Sequence, residues 1–361
     1  MARDIKDTDA VDQGRRDGNY LSKTTSSSYR IIARPFHTYI YKHKVMKTFL
    51  AASCAAAIAS LVSAAVLPSA PGEALRRNNG DNDYTCRSST HPNPVVMLHA
   101  LGGNKNFDLG LLSGWLRFQG FCTFSLTYGN APGSLIGGLD HINASAPVIG
   151  AFIKQVAQRT GSKRVDLVGH SEGALQALYV PKFVPGVAPL VDRIVSVAPA
   201  THGTSLSGLW TLVRLLGRRV EDQIEDVLKK FGCRACVDLV VGSALLKHLA
   251  EGPIVQPNTT VTVIASRKDV FVTPPESAFV REKGVRNLFV QDVCPTDRVG
   301  HFGMAVAPNV WRLVRNALEG VTGGNFTCIG GIPLLDAGKL GGDAAEEEAA
   351  EITALDEATG S

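Results

Sequence analysis

The sequence predicts an α/β protein built around a mostly parallel sheet with helices on both faces. Short runs of apolar and β-branched residues alternate along the chain with longer segments whose apolar residues have helical spacing. Parallel strands need a long crossover between them, and a helix covering the sheet is the usual crossover. With 361 residues, 45% of them hydrophobic, the chain can fill the core of one large domain.

Each element is predicted from its local composition. Six segments have the composition of strands, in chain order 94–99, 122–128, 164–168, 192–198, 259–265 and 287–292. Four segments have helical periodicity, at 107–119, 145–160, 174–185 and 304–319. Gly120 and Gly161 follow the first two of these, where glycine typically ends a helix. The alternation is interrupted at 203–252, which we expect to be an insertion within a domain spanning 74–342.

The pentapeptide Gly-His-Ser-Glu-Gly at 169–173 is the most informative motif of the chain. It follows the third predicted strand and precedes the third predicted helix, which is the strand–turn–helix context of a nucleophile elbow. Such a turn strains the serine backbone, so its neighbours must be small, and Gly169 and Gly173 meet that demand. We therefore predict that Ser171 is a nucleophile. The alternative is a glycine-flanked loop serine without chemistry.

A serine nucleophile needs a general base, and in elbow proteins an acid and then a histidine follow the serine along the chain. Of the nine histidines, His301 lies in the loop between the last predicted strand and the last predicted helix. His202 comes too early for an acid to precede it, although it could line the site, and His248 lies among the leucines of a predicted helix. His301 is therefore the predicted base.

The acid should follow a strand at the carboxyl edge of the sheet, where open α/β sheets build their sites. Asp269 comes directly after the fifth predicted strand, and two prolines beyond it would stiffen the loop. Asp292 lies within a predicted strand, and Asp297 is only four residues before His301. We predict that Asp269 accepts the hydrogen bond of the His301 ring. The alternative is an exposed aspartate paired with a neighbouring basic residue.

Acyl transfer also requires backbone N–H groups that stabilise the oxyanion. The N–H after the nucleophile is the first predicted donor and belongs to Glu172. Residues 99–103, His-Ala-Leu-Gly-Gly, end the first predicted strand and include the small residues that a close backbone approach needs. We assign the second donor to the N–H of Leu101, each donor contributing about 3 kcal/mol to the transition state. The alternative is a glycine-rich turn without a catalytic part.

The cysteine count indicates disulfides. Apart from Cys54 in the apolar N-terminal segment, six cysteines remain, and an even number in an exported chain favours pairing. Spacing suggests three bridges, Cys86–Cys122, Cys233–Cys236 and Cys294–Cys328. The second pair could instead be redox-active or half of a zinc site, but no other cysteine pair has metal-ligand spacing.

The N-terminal region predicts secretion. Residues 46–65 combine a basic start, an alanine-rich apolar stretch and small-residue cleavage sites, which is typical of a signal peptide. Residues 1–45 are polar and predicted to be disordered, and Met46 is an alternative start. The competing interpretation is an uncleaved anchor that tethers the domain to a membrane. In a eukaryotic host the exported chain would carry three glycosylation candidates, Asn143, Asn258 and Asn325.

The distribution of charged residues along the chain argues against some classes of function. The formal net charge of +4 comes from residues 1–45, which hold nine basic and five acidic residues, so the remainder is neutral by count. Residues 343–361 hold seven acidic residues and no basic one, which predicts a disordered tail. No basic stripe with interleaved aromatic residues is present, which argues against nucleic-acid binding. We expect a monomer that needs neither a metal nor an organic cofactor.

Taken together, these motifs resemble those of secreted α/β-hydrolase lipases related to lipase class 2, which occur in actinobacteria and fungi. The resemblance covers roughly 84–322 and rests on three segments, 168–173, 265–274 and 287–295 followed by the histidine at 301. It implies the α/β-hydrolase fold, a six-cysteine layout and hydrolysis of carboxylic esters, often acylglycerols. The implied nucleophile, acid and base are Ser171, Asp269 and His301. The chain departs from the family at Ala100, where a glycine commonly follows the histidine.

The insertion at 203–252 bears on the substrate. Its apolar stretch at 206–216 has the pattern of a lid helix that presents apolar surface to lipid, and equally of a helix buried against the sheet. The sequence thus predicts a secreted serine esterase or lipase that acts on ester or lipid substrates. If the insertion is a mobile lid, we expect the protein to act at a lipid–water interface. The alternatives are a polyester hydrolase, an acyltransferase with the same triad, or a non-catalytic lipid-binding protein on a hydrolase scaffold.

Overall fold

The computed structural model of the protein describes residues 80–205, 218–230, 232–322 and 326–330. Within these ranges six strands form one parallel sheet in the order β2-β1-β3-β4-β5-β6. The strands are β1 (Val95–Leu98), β2 (Thr123–Ser125), β3 (Val165–His170), β4 (Val191–Val197), β5 (Thr260–Ala265) and β6 (Arg286–Phe289). Their common direction brings all the carboxyl ends, including the end of the central strand β3, to one edge of the sheet.

The connections between strands are helical. The helices are α1 (Gly110–Phe118), α2 (Ile142–Thr160), α3 (Glu172–Phe183), α4 (Arg218–Lys230), α5 (Ala235–Asp238), α6 (Ala244–Leu249), α7 (Val290–Val293) and α8 (Pro308–Glu319). Three short 3₁₀ segments, at Ala188–Leu190, Pro275–Ala278 and Phe302–Ala305, complete the connections in the described ranges. The predicted alternation of strands and helices therefore matches the observed order.

Two apolar cores lie on opposite faces of the sheet, because successive strand side chains point to opposite sides. On β1, Val96 and Leu98 belong to the core that α2 and α3 cover. Val95 and Met97 belong to the other core, which α1 and α8 cover. Burial of β1 on both faces explains why its sequence is a continuous apolar run rather than an alternating one.

Several element boundaries differ from the sequence predictions, and the predicted strand at 122–128, for example, is shortened to Thr123–Ser125. Two of the differences also change the type of an element. The predicted strand at 287–292 ends at Phe289, and Asp292 lies in the short helix α7, where its carboxylate accepts a hydrogen bond from the Phe289 N–H at 2.8 Å. The predicted helix at 304–319 is divided, because Pro308 starts a new helix where a proline needs no N–H partner. Both differences arise at helix starts. The Asp292 carboxylate caps the first of these helices, and Pro308 begins the second.

Among the described residues, three disulfide bonds form in the pairing that the spacing suggests, Cys86–Cys122, Cys233–Cys236 and Cys294–Cys328. The first joins the segment before β1 to the start of β2, across a separation of 36 residues. The third ties the segment after β6 to the chain beyond α8, across 34 residues. Both long bridges therefore fasten the outer parts of the domain to the sheet.

Parts of the predicted organisation lie outside the described residues, namely 1–45, the signal segment 46–65, 206–217, the sequon Asn325 and the tail 343–361. The described part of the insertion forms α4, α5 and α6, and Ile224 and Leu228 of α4 pack on Val240. The two described sequon residues, Asn143 and Asn258, are exposed. No helix in the described ranges has both the length and the apolar character that crossing a membrane requires.

Candidate active site

Ser171 occupies a tight turn between β3 and α3. Its backbone dihedral angles are φ 54° and ψ −116°, a conformation that is costly for any residue with a Cβ and that persists where the surroundings enforce it. The Ser171 N–H donates to the Val197 carbonyl at 2.8 Å, and the Ser171 carbonyl accepts from Ala174 and Leu175, both at 3.1 Å. These bonds hold the serine at the carboxyl edge of the sheet.

The two glycines of the pentapeptide permit the close approach of three backbone segments. A Cβ built on Gly169 would lie 2.2 Å from the Gly173 carbonyl oxygen. A Cβ built on Gly173 would lie 2.2 Å from the carbonyl oxygen of Leu98, at the end of β1. Any larger residue would push α3 away from the sheet, so the small neighbours of Ser171 are a steric requirement of the turn.

His301 reaches Ser171 from the loop between α7 and α8. Its Nε2 lies 2.8 Å from Ser171 Oγ, although the two residues are 130 positions apart in the chain. The imidazole is almost fully buried, with 5% of the side chain exposed. This geometry allows the ring to take the hydroxyl proton of Ser171 directly.

Asp269 completes a hydrogen-bonded chain of three side chains. Its Oδ2 lies 2.7 Å from His301 Nδ1, and its Oδ1 accepts the backbone N–H groups of Phe271 at 2.8 Å and Val272 at 2.9 Å. The carboxylate is thus fixed in orientation by its own loop. The Nδ1 hydrogen of His301 must point to Asp269, which leaves Nε2 free to accept a proton from Ser171.

The acids that the sequence analysis set aside have other partners. Arg267 pairs with Asp292, with 2.6 Å between the guanidinium and the carboxylate. Asp297 accepts hydrogen bonds from the Val299 N–H at 2.9 Å and from the Asn309 side chain at 2.8 Å. The ring of His202 faces a backbone carbonyl on the 275–279 segment rather than the serine.

The loop that follows β1 holds the second predicted oxyanion donor. Gly102 and Gly103 exchange backbone hydrogen bonds with Gly137, at 3.0 and 2.7 Å, and the Ala100 N–H donates to Asp108 Oδ2 at 2.8 Å. Among the residues that the structure describes, no acceptor takes the N–H of Leu101. The loop is therefore anchored on both sides of Leu101, and alanine in place of glycine at position 100 leaves these anchors intact.

The Glu172 side chain forms a buried network that the sequence did not reveal. Glu172 is completely buried, with Oε1 2.9 Å from Gln176 Nε2 and Oε2 2.8 Å from the Tyr128 hydroxyl. The same hydroxyl lies 2.6 Å from the His99 carbonyl. Burial is the main cause that raises the pKa of Glu172 to about 8. The carboxyl group is therefore neutral at pH 7 and adds no negative charge of its own behind the predicted oxyanion site.

The protonation of Glu172 also follows from hydrogen counting. The Tyr128 hydroxyl has one hydrogen, but it faces two oxygens, of which the His99 carbonyl can only accept. If the tyrosine donates to that carbonyl, Glu172 must itself donate to the tyrosine oxygen. A protonated Glu172 satisfies both contacts, whereas an ionised one leaves two acceptors competing for a single hydrogen.

Exposed aromatic side chains flank the histidine. The ring centroids of Phe271 and Phe302 lie 5.5 and 5.6 Å from that of His301, and the two phenylalanines are in edge contact at 4.5 Å. Phe302 is 65% exposed and Phe271 is 41% exposed. The two rings therefore present exposed apolar surface beside His301.

Comparisons with known proteins give one sequence relative over a short stretch and several similar solved structures. No protein-family model matches the chain. A 66-residue stretch is 36% identical to a triacylglycerol lipase of Pseudomonas fragi, covering 18% of this chain and 22% of that lipase.

Solved structures similar to this one include lipase B of Aspergillus fumigatus, with 18% identity, a TM-score of 0.48 and coverage of 70% of this chain and 63% of that one. A monoacylglycerol lipase of Paleococcus ferrophilus is also 18% identical, with a TM-score of 0.42 and coverage of 65% and 97%. The mature lipase BlEst2 of Bacillus licheniformis is 15% identical, with a TM-score of 0.43 and coverage of 63% and 91%. The chain therefore spans less than two thirds of the first of these structures and about a fifth of the Pseudomonas lipase.

The fold is assigned from the chain itself. The parallel sheet has helices on both faces, and a strained serine lies at the turn from a central strand into a helix. A histidine lies in a loop before the last described helix. This arrangement is the α/β-hydrolase fold.

Proposed function

We propose that the protein is a serine hydrolase of carboxylic esters that works through an acyl-enzyme. The observation that carries this proposal is the continuous hydrogen-bonded chain from Ser171 Oγ to His301 Nε2, at 2.8 Å, and from His301 Nδ1 to Asp269 Oδ2, at 2.7 Å. The strained elbow presents the first member of that chain at the carboxyl edge of the sheet. Three side chains from distant segments meet in the order and geometry that nucleophilic acyl transfer needs.

Each residue has a defined part in the proposed reaction. Ser171 Oγ attacks the acyl carbonyl while His301 Nε2 takes its proton, and Asp269 stabilises the imidazolium that forms. The imidazolium then protonates the leaving alcohol, which departs and leaves an ester between Ser171 and the acyl group. A water molecule, deprotonated by His301, attacks that ester, and the acid leaves as the proton returns to Ser171.

The tetrahedral intermediates of both steps carry a negative oxygen, and the proposed donors to it are the N–H groups of Leu101 and Glu172. The N–H of Glu172 belongs to the first residue of α3, where an N–H has no acceptor within its own helix. The positive end of the helix dipole favours an anion at this position. The neutral Glu172 side chain supports the same role because it adds no opposing charge.

For the substrate, we propose an ester with an apolar acyl group, of the acylglycerol type. Phe271 and Phe302 support this, since they place aromatic surface beside His301. Leu135 and Ile136 are 81% and 53% exposed and precede Gly137, which anchors the Leu101 loop. The similarity to the Pseudomonas triacylglycerol lipase points in the same direction.

The test is a series of p-nitrophenyl esters from two to eighteen acyl carbons, hydrolysed by wild type and by Ser171→Ala. We expect turnover by wild type, with a preference for longer chains, and loss of turnover in the variant. A fluorophosphonate probe should label wild type at Ser171, located by mass spectrometry of the modified peptide. Equal hydrolysis by wild type and Ser171→Ala would exclude Ser171 as the nucleophile. Absence of both hydrolysis and labelling would favour a non-catalytic role.

We also propose that the protein is secreted, with residues 46–65 as its signal peptide. The three disulfides support an oxidising compartment. N-terminal sequencing of protein recovered from the medium should give a start at residue 65 or 66, directly after one of the two small-residue sites. Recovery of the uncleaved chain in membranes would instead establish an anchor.

A further inference from the structure

A second histidine–carboxylate pair lies beneath the catalytic residues. His170, the residue before Ser171, is completely buried, and its Nδ1 lies 2.7 Å from Asp108 Oδ1. Its Nε2 lies 3.1 Å from the backbone carbonyl oxygen of His301. Neither His170 nor Asp108 is needed for the proton transfers described above, so the pair requires another explanation.

The contacts of His170 define its protonation state. The His301 carbonyl can only accept, so Nε2 of His170 must carry a hydrogen. Nδ1 faces a carboxyl oxygen, and a carboxyl group ordinarily gives up its proton at a much lower pH than an imidazole. The proton between them therefore belongs to the ring, and both ring nitrogens of His170 are donors. His170 is accordingly a buried imidazolium paired with an ionised Asp108.

The pair joins three parts of the site. Asp108 Oδ2 accepts the N–H of Ala100, directly before the predicted oxyanion donor Leu101. The ring of His170 donates to the backbone of the base His301, and its own backbone leads into Ser171. Asp108 has φ +89°, a strained conformation for a residue with a Cβ, and such strain tends to be retained where geometry serves function.

We propose that protonated His170, held by Asp108, is a positioning residue that fixes the oxyanion loop, the nucleophile turn and the base relative to one another. This inference rests on the proposed ester hydrolysis and adds to it a residue that never touches the substrate. Acyl transfer is sensitive to such positioning, since a displacement of about 1 Å can reduce a rate about 100-fold.

The charges around His170 are consistent with a lasting imidazolium. Burial acts to lower its pKa, but the Asp108 carboxylate, the bond to the His301 carbonyl and the nearby Asp269 charge together raise the pKa of His170. The other titratable ring against it is His301, with 5.2 Å between the centroids. When His301 becomes an imidazolium during the reaction, two cations are adjacent, each with its own aspartate.

Two substitutions separate the contacts of His170. The amide of His170→Asn occupies the place of Nδ1 and can still donate to Asp108, whereas that of His170→Gln occupies the place of Nε2 and can still donate to the His301 carbonyl. We expect both to lower kcat by about 10- to 100-fold with little change in KM, and to slow fluorophosphonate labelling of Ser171 in parallel. Asp108→Asn should give a similar loss. The double variant Asp108→Asn, His170→Asn should lose no more than the worse single variant, because the pair is broken only once.

The matched control is His248→Asn, which removes an exposed histidine that contacts the carboxylate of Glu251 at 3.0 Å. It should leave kcat, KM and labelling unchanged. If His170→Asn and His170→Gln retain the wild-type kcat and labelling rate, the positioning role is excluded. Wild type that neither turns over nor labels would instead refute the proposed function.

A measurement on wild type tests the protonation state without relying on activity or on the folding of a variant. Nuclear magnetic resonance of ¹⁵N-histidine-labelled protein at pH 7 should show one ring with both nitrogens protonated, and its signals should be absent from His170→Gln. A ring at position 170 that is neutral at pH 7 would overturn the proposal, whatever the kinetic results.

Discussion

Replacing Glu172 with glutamine should make the protein more resistant to rising pH. The glutamine amide has nearly the shape of a protonated carboxyl group, so it can accept from Gln176 and donate to Tyr128 in the same network. The substitution therefore keeps the hydrogen bonds and removes only the ionisable proton of the Glu172 carboxyl group. Burial in the folded protein raises the pKa of Glu172 to about 8, whereas the ordinary pKa of a glutamic acid is 4.5.

The sign of the effect follows from the raised pKa. Between these two pH values the folded state binds a proton that the unfolded state has released, so the free energy of unfolding falls as pH rises. The stabilisation is complete below pH 4.5 and is lost as the pH approaches 8. At about 1.4 kcal/mol per pH unit, wild type should lose about 3 kcal/mol more than Glu172→Gln between pH 5 and pH 8.

The assay is urea unfolding at pH 5, 6, 7 and 8 with the disulfides intact, followed by the fluorescence of Trp115 and Trp311, which pack together with 5.9 Å between centroids. The control Glu276→Gln neutralises an exposed carboxylate and should keep the slope of wild type. Stability curves for wild type and Glu172→Gln that stay parallel over this range would refute the buried neutral carboxyl group.

Three further predictions concern other residues. Asp269→Asn should fold but lower kcat by about 10⁴-fold, because the His301 ring loses the acceptor that sets its tautomer. The measurement is steady-state ester hydrolysis alongside thermal unfolding. A kcat near that of wild type would show that Asp269 has no part in the mechanism. Gly173→Ala should destabilise the fold by about 3 kcal/mol or more and abolish activity, since its Cβ would meet the Leu98 carbonyl at 2.2 Å. Gly110→Ala, which has open space, is its control in the same urea titration, and equal stability of the two variants would contradict the steric argument. Asp166→Asn should flatten the decline of stability between pH 4 and 7, because burial raises the pKa of Asp166 to about 7; an unchanged slope in that range would show that this carboxyl group titrates normally.

Much of the fold was predictable because its signals are local. The continuous apolar run of β1 reflects burial on both faces, and glycine at 161 ends α2 in a left-handed conformation at φ +67°. The site residues were predictable for a related reason. The chain order of serine, acid and histidine, applied to positions beside strand ends, selected the three side chains that the structure joins by hydrogen bonds.

The errors and omissions have physical causes. The apolar neighbours of Asp292 predict a strand, but its carboxylate caps the backbone and starts a helix. For Glu172 the sequence predicts only that its backbone N–H is an oxyanion donor, since nothing in the pentapeptide shows that its side chain is buried. Asp108 lay in a segment that looked like a loop and a helix start, 62 residues from its partner His170.

The succession of strands and helices along the chain, the turn at 169–173 and the identity of the candidate nucleophile, base and acid can all be inferred from the sequence. These follow from short-range rules of composition, spacing and steric allowance. Tertiary packing, by contrast, sets which groups lose contact with water and which distant partners they meet. Burial and partners together set the protonation of a side chain. Glu172, which follows Ser171, is neutral because it is buried. His170, which precedes Ser171, keeps its charge because Asp108 lies against it.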